Sequence, residues 1–231
     1  MKYDVVLWDM DGTLLNYKMA QSEALTQVFR TLHIPLTDQM RDIYSRINDA
    51  YWKKLELGEV TREELLDGRF QRFFEEIGIE GIDITAVRHQ YEEVLGNVYD
   101  YIQDSLDLCT TLKPKCRQYI VTNGISSIQN KKIQLSGFKD CVEGYFVSEE
   151  IGIEKPNGAF FDYVFQHIPD LDKERTLIIG DSLTSDIKGG KLAGIKTCYF
   201  NPDRKPIPEE CKPDYEIDHL WDVLRICDFV L

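Results

Sequence analysis

The apolar run that opens this chain ends in two carboxylates two residues apart, Asp9 and Asp11, in the stretch VVLWDMDGTLL. Ionised carboxylates are rarely buried without a partner, because taking an anion out of water is costly. The pair therefore calls for a positive neighbour. Two carboxylates so placed can hold a cation, divide nucleophilic and proton-transfer work between them, or simply cap the turn that leaves the strand. Three further polar clusters follow later apolar runs: Thr122 and Asn123 in VTNG, Lys155 in the EKP that follows SEEIG, and Asp181 with Asp186 in GDSLTSD. Alone, each has a plain structural reading, since TNG is a turn signal and a lysine before Pro156 usually sits at the surface. Their placement at successive strand ends sets them apart.

The elements that must position these residues are legible from periodicity. Short apolar runs bounded by turn signals occur at YDVVLWD, CRQYIVTNG, GYFVSEE, TLIIGDS, IKTCYFNP and, more weakly, PDYEIDH. Helical patterns lie between the later ones: Ser126 to Ser136 before Gly137, Ala159 to His167, and Thr184 to Ala193 before Gly194. Alternating strands and helices predict an α/β fold, a mostly parallel sheet with helices on both faces. Ligands on such sheets bind beyond the carboxyl ends of the strands.

Between residues 16 and 101 the pattern changes to helical periodicity with no convincing strand. Thr37 and Thr61 are N-cap candidates, and Glu64 three residues after Thr61 makes a capping box. A helical block inserted directly after the first strand predicts a cap over a site. The expected organisation is a Rossmann-like core of residues 1–15 and 102–231, with an all-helical cap domain at 16–101. The aromatic pairs Tyr51–Trp52 and Phe73–Phe74 are expected to pack inside that cap.

Composition excludes several classes. Forty acidic against 27 basic residues leave a formal charge of -13, which would repel a nucleic-acid backbone unless a basic stripe compensated, and KPKCR and NKK are isolated. No window approaches the ~20 apolar residues of a membrane span. Lys2 and Asp4 argue against a signal peptide, and the cysteine of the C-terminal CDFVL stands one position too early for a prenylation box. The six cysteines form no CxxC pair and read as reduced thiols. The four histidines share no ligand spacing. GGKLAG, from Gly189, lacks the spacing of a phosphate loop and reads as a helix end. The expectation is a cytoplasmic protein with no nucleic-acid or membrane partner.

Taken together, DMDGT, TNG, EKP and GDSLTSD resemble, in order and with compatible spacing, the four motifs of the haloacid dehalogenase-like superfamily. The likeness to its phosphatase branch runs from end to end, and the helical block matches a cap inserted between the first and second motifs. The resemblance implies that Asp9 is a nucleophile that attacks phosphorus and that Asp11 is the general acid and base. A carboxylate nucleophile splits hydrolysis into two easier displacements, and a second carboxyl protonates the leaving alkoxide and then deprotonates water. Gly12 suits the tight backbone departure that lets both groups face one substrate. By the same resemblance Thr122 and Asn123 hold phosphoryl oxygens through a hydroxyl and backbone N–H groups, and Lys155 offsets growing charge and orients Asp9.

The positive partner of the carboxylates is expected to be Mg²⁺, which favours one or two carboxylates together with phosphate oxygen and water. The resemblance implies ligation by the Asp9 and Asp181 side chains and the Asp11 carbonyl, with Asp186 close by. Charge supports this: with Asp9, Asp181 and Asp186 ionised, Lys155 alone leaves two negative charges uncompensated where a phosphate dianion must bind. At an effective dielectric near 20, each like-charge pair at ~4 Å costs about 4 kcal/mol, so the bare site would reject its substrate.

Asp11 disfavours carbon–halogen chemistry, since haloacid dehalogenases lack the second aspartate. Lys53 and Lys54 lie in no recognisable context for the Schiff-base lysine of phosphonoacetaldehyde hydrolases. Within the cap, INDAYWKKLELGEVTREELLDGRF is similar to the pyrimidine 5'-nucleotidase branch, as is GDSLTSDIKGG. The implied substrate is a small phosphorylated metabolite, a pyrimidine nucleotide, with Tyr44, Tyr51, Trp52 and Asn48 offered for stacking and base-edge contacts and Arg69 as a brace. Phosphoglycolate and sugar-phosphate phosphatases, a sugar-phosphate mutase and an idle partner-binding fold are the alternatives.

Overall fold

The computed structural model describes residues 2–228, so the end of the CDFVL stretch lies outside the described residues. In chain order the strands and helices are β1 (Val5–Trp8), α1 (Tyr17–Leu32), α2 (Asp38–Glu56), α3 (Arg62–Glu76), α4 (Ile84–Asn97), α5 (Ser105–Leu112), β2 (Arg117–Thr122), α6 (Ser126–Leu135), β3 (Gly144–Val147), α7 (Ser148–Ile151), α8 (Gly158–Gln166), β4 (Thr176–Gly180), α9 (Lys188–Ala193), β5 (Lys196–Phe200), β6 (Tyr215–Ile217) and α10 (Val223–Ile226). They form two compact units, one holding the chain up to Tyr17 and from Tyr99 onward, the other Lys18–Val98. Tyr99 to Tyr101 join the first unit because the two connecting segments pair there: Leu15 bridges Tyr101, Asn16 N donates to Asp100 O at 2.9 Å, and Ile102 N to Leu14 O at 3.0 Å.

The larger unit is built on one six-stranded sheet in the order β3-β2-β1-β4-β5-β6, with every pairing parallel. A parallel sheet buries both faces, which is why its strands read as continuous apolar runs. Alternate residues serve opposite cores. Val5, Leu7, Tyr119, Val121 and Ile178 pack with Phe160, Phe161 and Val164 of α8. Val6, Trp8, Ile120, Leu177 and Ile179 pack with Leu108 and Leu112 of α5 and Ile133 of α6. At about 1.5–3 kcal/mol for each large apolar side chain buried, these two cores fix where the strand ends stand.

Register then places the motifs. Trp8 is level with Ile120 of β2 and with Ile179 of β4, so the residues after β1, β2 and β4 emerge together at the carboxyl edge. That edge is also where the chain order reverses, β1 having β2 on one side and β4 on the other, the crevice where α/β sheets bind ligands.

The smaller unit is helical, α1 to α4. Thr37 caps α2 by accepting from Met40 N at 3.2 Å, and Thr61 with Glu64 forms a reciprocal capping box on α3. Its centre is aromatic. Tyr44 is enclosed by Phe70, Phe73 and Tyr91 at ring separations of 5.4, 5.3 and 5.5 Å, and Phe29 contacts Phe73 and Phe74. Among the described residues no helix is long and apolar enough to cross a membrane.

Candidate active site

Asp9 directly follows β1, and its backbone N–H donates to Ile179 O at 2.9 Å, so the carboxylate leaves the sheet from a fixed point. Lys155, fully buried, reaches it from the loop before α8. Its Nζ donates to Asp9 Oδ1 at 2.8 Å, to Asp186 Oδ1 at 2.6 Å and to Val121 O at 2.8 Å. The ammonium is thus held by two anions and a carbonyl, the arrangement a buried charge requires. Burial lowers the proton affinity of Lys155, but Asp186 and Asp9 outweigh it and hold the lysine above its ordinary value, hence charged.

Asp181 follows β4, and Asp186 lies in a turn of π-helix over Leu183–Ile187. Ser182 organises that turn: its hydroxyl accepts from Ser185 N at 3.1 Å and its own N–H donates to Asp186 Oδ2 at 3.1 Å. Asp9, Asp181 and Asp186 each present a carboxylate oxygen, and these atoms lie within 4.8 Å of one another. Gly12, at φ +94°, belongs to this assembly in a way the sequence only half reveals. A Cβ there would fall on the Asp181 carboxylate, so the position needs glycine for space as well as for its backbone.

One lysine does not balance three carboxylates. Burial pushes the Asp9 carboxyl well above the usual carboxylate range; Lys155 opposes the rise, while Asp186 and Asp181 add to it. Asp181 opens to solvent on one side, yet desolvation by its surroundings and the Asp186 charge raise it to about 7. Crowded oxygen donors that resist losing their protons fit a hard divalent cation such as Mg²⁺, which would supply the missing positive charge.

The other sequence-predicted residues fall at the same edge. Thr122 ends β2, and its hydroxyl accepts from Gly124 N at 3.1 Å and from Gln129 Nε2 at 3.2 Å. With both lone pairs engaged, the hydroxyl proton points elsewhere as a donor. The Asn123 side chain is committed to a two-way clamp on Lys155, donating to its carbonyl and accepting from its N–H, each at 2.9 Å. Asn123 therefore sets the lysine's backbone through its side chain. Asp11 is partly exposed and pairs with Lys132 Nζ at 2.8 Å, while Gln129 Nε2 donates to its other oxygen at 2.6 Å.

Sequence reasoning missed Thr13, Gln129 and Lys132. Thr13 is fully buried, and its hydroxyl lies 3.3 Å from Asp9 Oδ2 and 3.4 Å from Asp181 Oδ1, bridging two of the three carboxylates. The one local signal for Thr13 is its place in the DGT string that follows Asp9. In the helical unit Tyr44 is core, since its ring is enclosed by three others, and it offers no face for stacking. Asn48 Oδ1 accepts from Arg69 Nη1 at 2.9 Å, and the Arg69 guanidinium lies over Phe70 at 5.0 Å. Tyr51 and Trp52 keep partial exposure on α2, so they are not the enclosed core pair expected for them.

A family model for haloacid dehalogenase-like hydrolases matches residues 3–194, which span all four strand-end clusters. The chain belongs to that family. It is 41% identical over 225 residues to the HAD-hydrolase YfnB of Bacillus subtilis, covering 97% of this chain and 95% of that protein. The crystal structure of YfnB, described as bound to magnesium, superposes with a TM-score of 0.94 over 99% of this chain and 100% of that one, at 40% identity. The pyrimidine 5'-nucleotidase PynA of Streptococcus pneumoniae is 34% identical over 99% of this chain and 96% of its own length. The pyrimidine 5'-nucleotidase YjjG of Escherichia coli is 26% identical, covering 98% of each.

Proposed function

We propose that this hydrolase is a Mg²⁺-dependent phosphomonoesterase that hydrolyses pyrimidine nucleoside 5'-monophosphates through an aspartyl-phosphate on Asp9. The observation that carries the reading is the anchoring of Asp9 by a charged, buried Lys155 at 2.8 Å, with Asp181 and Asp186 gathered beside it. The narrower substrate assignment rests on two relatives that span almost the whole chain and are named pyrimidine 5'-nucleotidases.

In the first displacement an Asp9 carboxylate oxygen attacks phosphorus, and the bond from phosphorus to the nucleoside 5'-oxygen breaks. Asp11 gives its proton to that oxygen, so the nucleoside leaves as an alcohol. In the second, water attacks the phosphorus of the aspartyl-phosphate and yields its proton to Asp11, freeing Asp9 and phosphate. Lys155 holds the Asp9 carboxylate at one angle through both steps, and the Thr122 hydroxyl donates to a phosphoryl oxygen. Asp9, Asp181 and Asp186, with the Asp11 carbonyl, would hold Mg²⁺, which when bound lowers the negative potential that a phosphate dianion meets. Preorganised donors and charge, more than covalent chemistry, carry phosphoryl transfer.

The test is phosphate release with Mg²⁺ from UMP and dTMP, the corresponding purine monophosphates, phosphoglycolate and sugar phosphates under identical conditions. The pyrimidine nucleotides are expected to show the highest kcat/KM. A higher value for phosphoglycolate or a sugar phosphate than for either pyrimidine nucleotide sinks the nucleotidase assignment and leaves the phosphatase intact. Conversion of a sugar phosphate to an isomer without phosphate release would identify a mutase instead.

A further inference from the structure

The Asp11 carboxyl is gripped at both oxygens by one helix. Gln129 and Lys132 stand three residues apart on α6 and so share a face. Lys132 Nζ pairs with Asp11 Oδ1 at 2.8 Å, and Gln129 Nε2 donates to Asp11 Oδ2 at 2.6 Å. Both side chains are about 1% exposed, whereas the Asp11 side chain keeps 22%. A buried ammonium is retained only where its charge is matched, and among the described residues the carboxylate in ion-pair range of Lys132 is Asp11.

Two further contacts tie this grip to the site. Gln129 Nε2 also reaches Thr122 Oγ1 at 3.2 Å, so one amide links the Asp11 carboxyl to the hydroxyl at the end of β2. A Cβ on Gly124 would fall on that same Nε2, so the glycine after the β2 turn clears the path the amide takes. Lys155 pairs with Asp9 and Asp186, whereas Lys132 pairs with Asp11. The part of Lys132 is therefore local to Asp11.

We infer that Gln129 and Lys132 are positioning residues that aim the Asp11 carboxyl at the leaving oxygen. The inference rests on the phosphatase reading above. As the Asp9 oxygen bonds to phosphorus and the ester bond breaks, the Asp11 proton passes to the ester oxygen. Asp11 is left as an anion held by the Lys132 ammonium and the Gln129 amide. An alkyl ester such as a nucleotide depends on that proton, because an alkoxide is a poor leaving group. p-Nitrophenolate leaves without it. Loss of the grip must therefore damage the two ester classes unequally, which a merely structural defect would not do.

The experiment compares kcat/KM, which reports every step through departure of the leaving group, for UMP and p-nitrophenyl phosphate with the Mg²⁺-loaded full chain. Lys132→Met is expected to lose about 10²-fold on UMP, the scale of general acid catalysis, and no more than about tenfold on p-nitrophenyl phosphate. Lys132→Arg restores most of the UMP rate, since it returns the cation. In an Asp11→Asn background, Lys132→Met costs nothing further, because the two residues act as one unit. Should Lys132→Met fail to fold, Gln129→Met, which removes the amide donor and keeps the shape, carries the same selective loss. Equal loss on both esters, no loss on either, or additive losses in the double variant overturns the inference while leaving the phosphatase intact. If the wild-type protein releases phosphate from neither ester, the phosphatase reading falls and this inference with it.

Discussion

Replacing Lys155 by methionine keeps the length of the side chain and removes the cation that, among the described residues, pairs with both Asp9 and Asp186. The ion pairs lost are at 2.8 and 2.6 Å, together with a hydrogen bond to Val121 O at 2.8 Å. At an effective dielectric near 20 each pair is worth about 6 kcal/mol of attraction, largely offset by the cost of burying the charges. What remains when one partner of such a buried group is deleted is about 3–5 kcal/mol of lost stability, because the carboxylates are left unmatched. For a chain of this size 1 kcal/mol moves the melting temperature by about 2–4 °C, so EDTA-treated Lys155→Met should melt roughly 6–20 °C below wild type. Saturating Mg²⁺ should close part of that gap by supplying charge to the same carboxylates. Phosphate release should fall by at least about 10²-fold even then, as for loss of a transition-state charge stabiliser. Thermal unfolding by circular dichroism with and without Mg²⁺, alongside a phosphate assay, reads all three. A variant that melts within 2 °C of wild type and turns over normally would show that the lysine is neither a structural nor a catalytic anchor.

Two other outcomes follow from the same carboxylates. Chelation should silence phosphate release and Mg²⁺ restore it, with Ca²⁺ a poor substitute because its larger and looser coordination misplaces the nucleophile; full activity after exhaustive chelation contradicts the charge argument. Asp181 is raised from 3.8 to about 7, so the metal-free folded state binds more protons than the unfolded chain across that window and is destabilised as pH rises through it. Metal-free wild type should therefore lose melting temperature relative to Asp181→Asn between about pH 4 and 7 and hold a constant difference above it; a difference independent of pH refutes the shift.

Much of the fold was legible because parallel strands buried on both faces must be apolar throughout, as in β1, β2, β4 and β5, and the two remaining runs became the half-exposed edge strands β3 and β6. Helix starts were legible wherever a side chain makes the cap locally, as at Thr37 and Thr61. The candidate site residues Asp9, Thr122 and Asp181 were legible as polar breaks at strand ends, because the end of a buried strand is where a polar residue most needs a reason, and Lys155 and Asp186 lie in the segments that follow β3 and β4. Lys132 was not. In NKK it looks like any solvated lysine, and only the packing of Ile128 and Ile133 turns its face of α6 inward toward Asp11. Gln129 was hidden for the same reason, and Thr13 because its use depends on Asp181, distant in sequence and adjacent only after folding. Tyr44 was misjudged as a stacking candidate since spacing along α2 cannot say which aromatic its neighbours on α3 and α4 will enclose.

The central claim is that Asp9 is the atom-bearing nucleophile of a phosphomonoesterase. It is tested most directly by Asp9→Asn, which keeps the side chain's shape and removes the attacking oxygen's charge. Without metal the variant should unfold at a temperature close to or above that of wild type, since it relieves a crowded carboxylate, and with Mg²⁺ and UMP it should release no phosphate above background. Near-wild-type phosphate release from the purified, folded Asp9→Asn protein would contradict the account.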